Sequence, residues 1–310
     1  MTELGLQAVF LPVALSIILC LIPRLPWSVE SSLRIEVWSA AQALTFATIL
    51  SLFIIEGAEI WLLTQRWYSL WITAVILALG GAASCGFVRK LWKPSSKSPM
   101  SGRLFLLTGT SAFAIFILGF PFYDGILARI ILAAIAALAT LLMIPISGRT
   151  PVATPFTFSI SFGTIAVLLV VSGSLKVALI ASSLSLTSGI CALLAFWYRG
   201  FSGGASFAMA GITLAFALAL YGASYHHHPE VTIVSWCVAS LAPLLLCVAH
   251  HSRFRNSTRI ALVVILITCG AIAFVALRAA QTRSQASDNC TPYTSKNDER
   301  TFPYYPASSI

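Results

Sequence analysis

Residues 37–64 read VWSAAQALTFATILSLFIIEGAEIWLLT, and they hold the two acidic side chains that lie inside an apolar run, Glu56 and Glu59. No lysine or arginine interrupts this run. A helix over it, rising about 1.5 Å per residue, is long enough to cross a hydrocarbon core about 30 Å thick. We therefore predict a membrane-spanning helix over residues 38–64. The i, i+3 spacing puts both carboxylates on one face of that helix.

A carboxylate inside a bilayer is costly unless it faces water, takes up a proton or finds a partner. Glu59 lies nearer the end of the predicted helix, where its side chain can reach the interface beside Trp61 and Arg66. Glu56 lies deeper and needs a packed, hydrated crevice or a functional role. Two interpretations remain. Either both glutamates are tolerated because of their depth in the membrane, with Glu59 at the interface and Glu56 in a hydrated crevice, or the pair binds a solute or a proton.

The composition of the whole chain is that of an integral membrane protein. Hydrophobic residues make up 58% of the sequence and charged residues 9%, and the mean hydropathy is +0.90. These values exclude an ordinary soluble domain. The net charge of +9 does not indicate a nucleic-acid partner, because the basic residues lie in short connections between apolar runs and act as topology signals.

Apolar runs separated by short connections predict an all-α, polytopic transmembrane helical bundle of about ten spans. The predicted spans are 4–23, 38–64, 68–88, 104–122, 126–147, 156–174, 177–198, 204–224, 231–250 and 260–278. Residues 1–278 therefore form the bundle. Residues 279–310 are polar, and we expect a C-terminal tail that is disordered or bound to a partner.

The orientation follows from the side on which basic residues accumulate. Connections after the odd-numbered spans carry twelve of them, namely Arg24, Arg34, Arg89, Lys90, Lys93, Lys97, Arg103, Arg149, Arg199, Arg253, Arg255 and Arg259. The connections on the opposite side carry Arg66 and Lys176. The positive-inside rule then predicts both termini outside the cytoplasm.

Small and hydroxyl-bearing residues predict how the spans pack. Pairs at four-residue spacing, such as Gly80 and Ser84, let helix backbones approach closely. The seventh span is rich in serine and threonine, whose hydroxyls either join helices or line a polar path. Pro12 and Pro243 fall inside spans, where each removes a backbone donor and produces either a hinge or a fixed bend.

A candidate site emerges where polar residues of different spans meet the predicted outer surface. Arg129 begins the fifth span about one turn inside the membrane, next to Asp124 in the preceding connection. An unpaired guanidinium there is costly, so Arg129 either extends to the surface or pairs with Asp124 or one of the glutamates. We therefore take Glu56, Glu59 and Arg129 as candidates for binding a substrate or a proton.

His226, His228 and Glu230 reach the same predicted surface and are candidate metal ligands, because imidazole and carboxylate groups suit transition metals. Consecutive residues of a helix diverge by about 100°, so the run 226–228 cannot aim three imidazoles at one ion, and a solvated loop is the alternative. Seven cysteines occur without a C-x-x-C pair, and nucleotide-binding and hydrolase motifs are missing. We expect no cofactor.

These features favour a permease-like protein over an enzyme. Its expected partners are the lipid bilayer and a small solute or ion, which the intramembrane carboxylates recognise or exchange for a proton. The alternative is a non-catalytic membrane subunit or scaffold that holds other membrane subunits of a larger complex. A third option, a membrane metalloenzyme, requires the turn at 226–228 to approach Glu56 or Glu59.

Overall fold

Helices make up nearly all of the chain that the computed structural model describes, and that part contains no strand. The described residues are 2–21, 32–57, 68–84, 99–119, 125–198, 201, 203–224, 231–247 and 257–289. Backbone amides and carbonyls have no water partner in hydrocarbon, so apolar segments satisfy them within helices. The all-α prediction is confirmed.

The described helices follow one another along the chain. They are α1 (Thr2–Leu21), α2 (Ser32–Glu56), α3 (Tyr68–Ala82), α4 (Pro99–Leu118), α5 (Ile126–Ser147), α6 (Ala153–Val171), α7 (Leu175–Trp197), α8 (Gly204–Ser224), α9 (Ile233–Leu241) and α10 (Ser257–Asn289). Within the described residues, α5, α6, α7, α8 and α10 are long and apolar enough to cross a membrane. The remaining helices contain shorter apolar stretches.

Two helices have both of their boundaries where they were predicted, and a third helix ends earlier than predicted. Helices α5 and α8 occupy the predicted residues 126–147 and 204–224. Helix α2 instead ends at Glu56, because Gly57 adopts the left-handed conformation with φ +63°, which glycine accepts and which stops a helix. The prediction of one uninterrupted helix over 38–64 is therefore wrong at Gly57, and residues 58–64 lie outside the described residues.

Helix α9 is interrupted at its proline. The α-helical part ends at Leu241 and passes into a 3₁₀ turn over Ala242–Leu244 that contains Pro243. Proline has no amide hydrogen, so the regular i to i−4 pattern cannot continue through it. Pro243 thus changes the local helix type of this span, as its missing amide hydrogen predicts.

Helix α10 is longer than the predicted span. It continues from the apolar part to Asn289, so the first part of the predicted tail is helical. Residues 279–289 contain alanine, glutamine and arginine, which favour helix, and contain neither glycine nor proline. The rest of the predicted tail, 290–310, lies outside the described residues.

Helix α8 forms the centre of the bundle. It packs against α2, α3, α4, α5, α6 and α9. Of its membrane-length window 83% is buried within the protein, against 22% for α10, which packs mainly on α6. Helix α10 therefore lies at the edge of the bundle, with most of its apolar surface directed away from the other described helices.

Close helix packing depends on glycine at several contacts. A Cβ atom at Gly80 of α3 would overlap the side chain of Thr110 on α4, and one at Gly211 of α8 would meet the ring of Phe158 on α6 at 2.8 Å. Real Cβ atoms do not approach this closely, so these glycines set the distance between their helices. The close approach predicted at Gly80 is confirmed.

Candidate functional site

Glu56 is held by a lysine from a distant part of the chain. Its Oε1 atom accepts a hydrogen bond from Nζ of Lys176, at 2.9 Å. The carboxylate side chain is only 9% exposed, whereas the lysine side chain is 56% exposed. The ion pair therefore joins a nearly buried acid at the end of α2 to a solvent-accessible ammonium at the start of α7.

The difference in exposure determines how much each side chain depends on the other. The buried carboxylate needs a counter-charge, since removing a charge from water costs several kcal/mol unless it is compensated. The ammonium has no such need, because solvent reaches it and its four-carbon stem is flexible. The carboxylate therefore depends on the ion pair more than the ammonium does.

Beyond the ion pair, α1, α2 and α7 enclose a series of buried oxygen atoms that we call the three-helix interface. Pro12 lacks an amide hydrogen, so the carbonyl of Ala8 loses its helical partner. Ser51 of α2 donates a hydrogen bond to that carbonyl at 2.9 Å. Ser183 of α7 lies 2.9 Å from the Ser51 hydroxyl. The Ser183 hydroxyl also donates to the Ile180 carbonyl at 2.8 Å, so its single hydrogen can go either to Ile180 or to Ser51.

A second layer of oxygens lies further along the same interface. The Ser16 hydroxyl donates to the Pro12 carbonyl at 2.7 Å and lies 3.2 Å from the Thr187 hydroxyl and 3.4 Å from the Ala43 carbonyl. Beyond this layer the sulfur atoms of Cys20 and Cys191 are 3.9 Å apart. Polar atoms thus continue from the ion pair into the bundle.

The residues that α7 contributes lie on one face of that helix. Lys176, Ser183, Thr187 and Cys191 are spaced by seven, four and four residues, which keeps them in line. Each is paired with a residue of α1 or α2. Because Ser16 meets Thr187 and Cys20 meets Cys191, α1 and α7 run parallel. The hydroxyls of this span were evident from the sequence, but their partners were not, because they lie on other helices.

Another buried hydroxyl of α7 has an unusual environment. The Oγ atom of Ser188 is buried and has no hydrogen-bond partner among the described residues. Buried polar atoms are almost always paired with protein or water. Ser188 is an exception to this rule, and it lies about 100° around α7 from Thr187, away from the three-helix interface.

A separate hydroxyl cluster joins α4, α5 and α8, and it is fully paired. Thr140 donates to Ser111 at 2.9 Å, Ser111 lies 2.8 Å from Thr213, and Thr213 donates to the Met209 carbonyl at 2.8 Å. Since Thr213 uses its hydrogen on Met209, Ser111 donates to Thr213. Every hydroxyl hydrogen in this series of hydrogen bonds has an acceptor, so the cluster serves to join the three helices.

The predicted site residues are distributed as follows. Glu56 is nearly buried and bound to Lys176. Arg129 is half-buried at the start of α5, with its aliphatic stem against Gly119 of α4. Glu59 lies outside the described residues, as do Asp124, His226, His228 and Glu230. The structure thus gives Glu56 a different counter-charge from the arginine that we expected.

Lys176 is the one member of this ion pair that was not among the predicted site residues. It lies 120 positions after Glu56, and local spacing cannot connect the two. One signal was present: Lys176 is one of two basic residues in the connections on the side where span two ends. A lone lysine at the end of a helix, on the same side as a buried acid, was therefore a candidate partner.

Metal ligation has no support in the described part of the chain, where no group of three histidine, cysteine, aspartate or glutamate side chains is placed to hold an ion. The described cysteines are unbridged.

Comparisons with protein-family models, curated proteins and solved structures find no match to this chain. The site must therefore be interpreted from its own chemistry.

Proposed function

We propose that the chain is a permease-like carrier of a small solute or ion, built from ten spans with both termini outside the cytoplasm. Apolar helices along the described residues support the number of spans. The direction of the helices supports alternate crossing: α1 and α7, both odd in order, run parallel. Ser84, two residues after the end of α3, meets Ser206 at the start of α8, which is the contact expected if these two helices run antiparallel.

The observation that carries the proposal is the nearly buried carboxylate of Glu56 with its exposed counter-charge. A carrier needs a solute-binding group whose charge is balanced by a protein partner when no solute is bound. That partner must be able to leave without a large cost in free energy. Lys176 provides the resting compensation. A solute with a cationic group, or a proton, replaces the lysine and takes its place beside Glu56.

The position of the ion pair connects this exchange to the rest of the bundle. Glu56 ends α2 and Lys176 begins α7, and the same two helices enclose the buried oxygens of the three-helix interface. Loss of the lysine contact removes a constraint that holds α2 to α7. Solute binding therefore favours separation of these helices at the predicted outer side, and Glu59 and Arg129 are the proposed companions at that surface.

A second candidate function draws on α10. This helix has 22% of its membrane-length window buried and continues to Asn289, past the apolar segment. A long helix at the edge of a bundle suits contact with another membrane subunit. In that case the chain is a non-catalytic subunit, and Glu56 and Lys176 hold its own helices together.

The carrier is tested by replacing the carboxylate and measuring uptake. Cells that produce the wild-type chain or Glu56→Gln are exposed to a mixture of small polar solutes, and the retained solutes are identified by mass spectrometry. We expect cationic solutes to accumulate only with the wild type, and uptake to fall at least about tenfold in the variant. Lys176→Gln should change the apparent affinity, because it removes the competing ammonium.

The matched control is Gly109→Ala, at a helix position with open space around the added carbon. It should leave uptake unchanged. Equal solute profiles in the wild type and Glu56→Gln, with both chains present in the membrane, would remove Glu56 as the binding group.

A further inference from the structure

An apolar cavity of about 210 Å³ lies where α6, α9 and α10 meet. The side chains that line it include Leu168 of α6, Val231 just before α9, Ser235 of α9, and Ala271, Val275 and Ala276 of α10. Helix α10 packs mainly on α6 and much less on α9, and its two small alanine side chains leave space between the helices. The cavity is therefore a gap beside α10 at the edge of the bundle.

The cavity opens on the surface that faces the membrane. Leu168 is fully buried and Val231 is 7% exposed, whereas Val275 is 63% exposed. The cavity thus leads from the core of the bundle to the outer face of α10. Val275 lies four residues, about 6 Å, before Ala279, where the membrane-length part of α10 ends. The opening is therefore in the hydrocarbon layer, close to the predicted outer boundary.

A hydrocarbon chain suits this cavity better than water does. A buried water molecule needs about two to four polar partners, and the described side chains that line the cavity provide one, the Ser235 hydroxyl. That hydroxyl already lies 3.1 Å from the Thr232 hydroxyl. A hydrocarbon chain needs no hydrogen bond and gains dispersion contacts with the walls. At about 30 Å³ per group, roughly the space of one water or one methylene, the cavity holds about seven groups.

A cationic side chain lies one helical turn beyond the opening. Arg278 follows Val275 by three residues, so the two are neighbours on the surface of α10, and Arg278 is nearer the predicted outer boundary. Its guanidinium carbon is 5.3 Å from the centre of the Phe274 ring, which is 59% exposed. This contact keeps the positive charge on the membrane-facing side of α10. A guanidinium binds phosphate oxygens through paired N–H groups.

We propose that this cavity and Arg278 form a binding site for one phospholipid molecule. One acyl chain of the lipid fills the cavity and joins α10 to α9, and the phosphate group binds Arg278. The order along α10 matches that of a bilayer, in which the polar headgroups lie outside the hydrocarbon. The inference goes beyond the carrier, since the cavity is lined from α6, α9 and α10, whereas Glu56 and Lys176 belong to α2 and α7.

The test uses the purified full-length chain in a mild detergent, and native mass spectrometry counts the lipids that stay bound. Dioleoyl phosphatidylglycerol is the phospholipid, dioleoylglycerol has the same chains without phosphate, and glycerol phosphate has the phosphate without chains. We expect one phosphatidylglycerol to bind at least about tenfold more tightly than dioleoylglycerol, and glycerol phosphate not to compete. The bound phospholipid should also raise the thermal unfolding midpoint in a saturable manner.

Three variants locate the lipid. Ala271→Leu fills the cavity, so we expect it to keep the unfolding midpoint of the lipid-free wild type and to weaken phosphatidylglycerol binding about tenfold or more. Gly270→Leu is the matched control and should leave binding unchanged. Gly270 is exposed, and a carbon added there meets no atom within 4 Å. Arg278→Gln should reduce phosphatidylglycerol binding to the strength of dioleoylglycerol binding.

The proposal is overturned if phosphatidylglycerol and dioleoylglycerol bind equally, or if the Ala271→Leu and Gly270→Leu chains bind phosphatidylglycerol equally. A broad series of bound lipids without a tighter first one would also overturn it, because it indicates a general lipid coat. Glu56→Gln should retain the phospholipid, and this result separates the lipid site from a solute bound at Glu56.

Discussion

Gly222→Ala is expected to lower the free energy of unfolding by about 1–2 kcal/mol, and Gly222→Leu by more than about 3 kcal/mol. A Cβ atom at Gly222 of α8 would overlap the ring of Trp236 on α9. Trp236 is 2% exposed and among the largest buried side chains, so its rigid ring has no space to move into. The thermal unfolding midpoint in detergent should fall by about 2–4 °C per kcal/mol.

Gly109→Ala is the matched control for this loss. Gly109 is an exposed residue of α4, and a Cβ atom there meets no other atom within 4 Å. Alanine should be neutral or slightly stabilising at that position, because it favours helix more than glycine does. Replacing Trp236 with the smaller phenylalanine in the Gly222→Ala background should recover part of the loss. A Gly222→Ala chain as stable as the wild type would contradict the packing of α8 against α9.

Ser161→Ala is expected to lower the free energy of unfolding by about 1–2 kcal/mol in the natural chain. The same substitution should lower it by less than about 0.5 kcal/mol when Pro243 is also replaced by alanine. In the natural chain the serine is the donor to the Ala239 carbonyl, which Pro243 leaves without a helical partner. Alanine at 243 restores the amide, and the carbonyl no longer needs the hydroxyl. The four chains of this double-mutant cycle are compared by their unfolding midpoints.

Ser185→Ala supplies the control for that cycle. The Ser185 hydroxyl also donates to a carbonyl of α6, that of Ser159, at 2.8 Å. Ser159 lies inside a regular part of α6, where the amide four residues later already serves the carbonyl. Loss of the Ser185 hydroxyl should therefore lower the free energy of unfolding by less than loss of the Ser161 hydroxyl does. Equal costs for both serines, with no coupling to Pro243, would show that the proline does not determine the role of Ser161.

The helices were predictable because each one forms over a long continuous run of apolar residues, which can be recognised in the sequence. Apolar runs long enough for a bilayer gave α5 and α8 with the observed bounds. The end of α2 was not predictable from hydropathy, because the apolar pattern continues past Gly57 while the backbone there turns left-handed. The helical start of the tail was missed for the opposite reason: its residues are polar, but they favour helix.

The site was only partly predictable because its contacts join residues far apart in the sequence. Glu56 stood out as an acid in an apolar run, but its partner Lys176 lies on another helix. Pro12 and Pro243 identify the carbonyls that lose their amides, four residues earlier in each case. They do not identify the hydroxyls that replace those amides, because that depends on which helices pack together.

The central claim is that Glu56 holds a small solute or ion, and native mass spectrometry tests it directly. The wild type and Glu56→Gln are extracted gently from the membranes in which they are produced and measured side by side. We expect one type of chain, with a small bound mass in the wild type that is lost in the variant. Stoichiometric association with different chains, and no bound mass that depends on Glu56, would contradict the carrier and favour a membrane subunit.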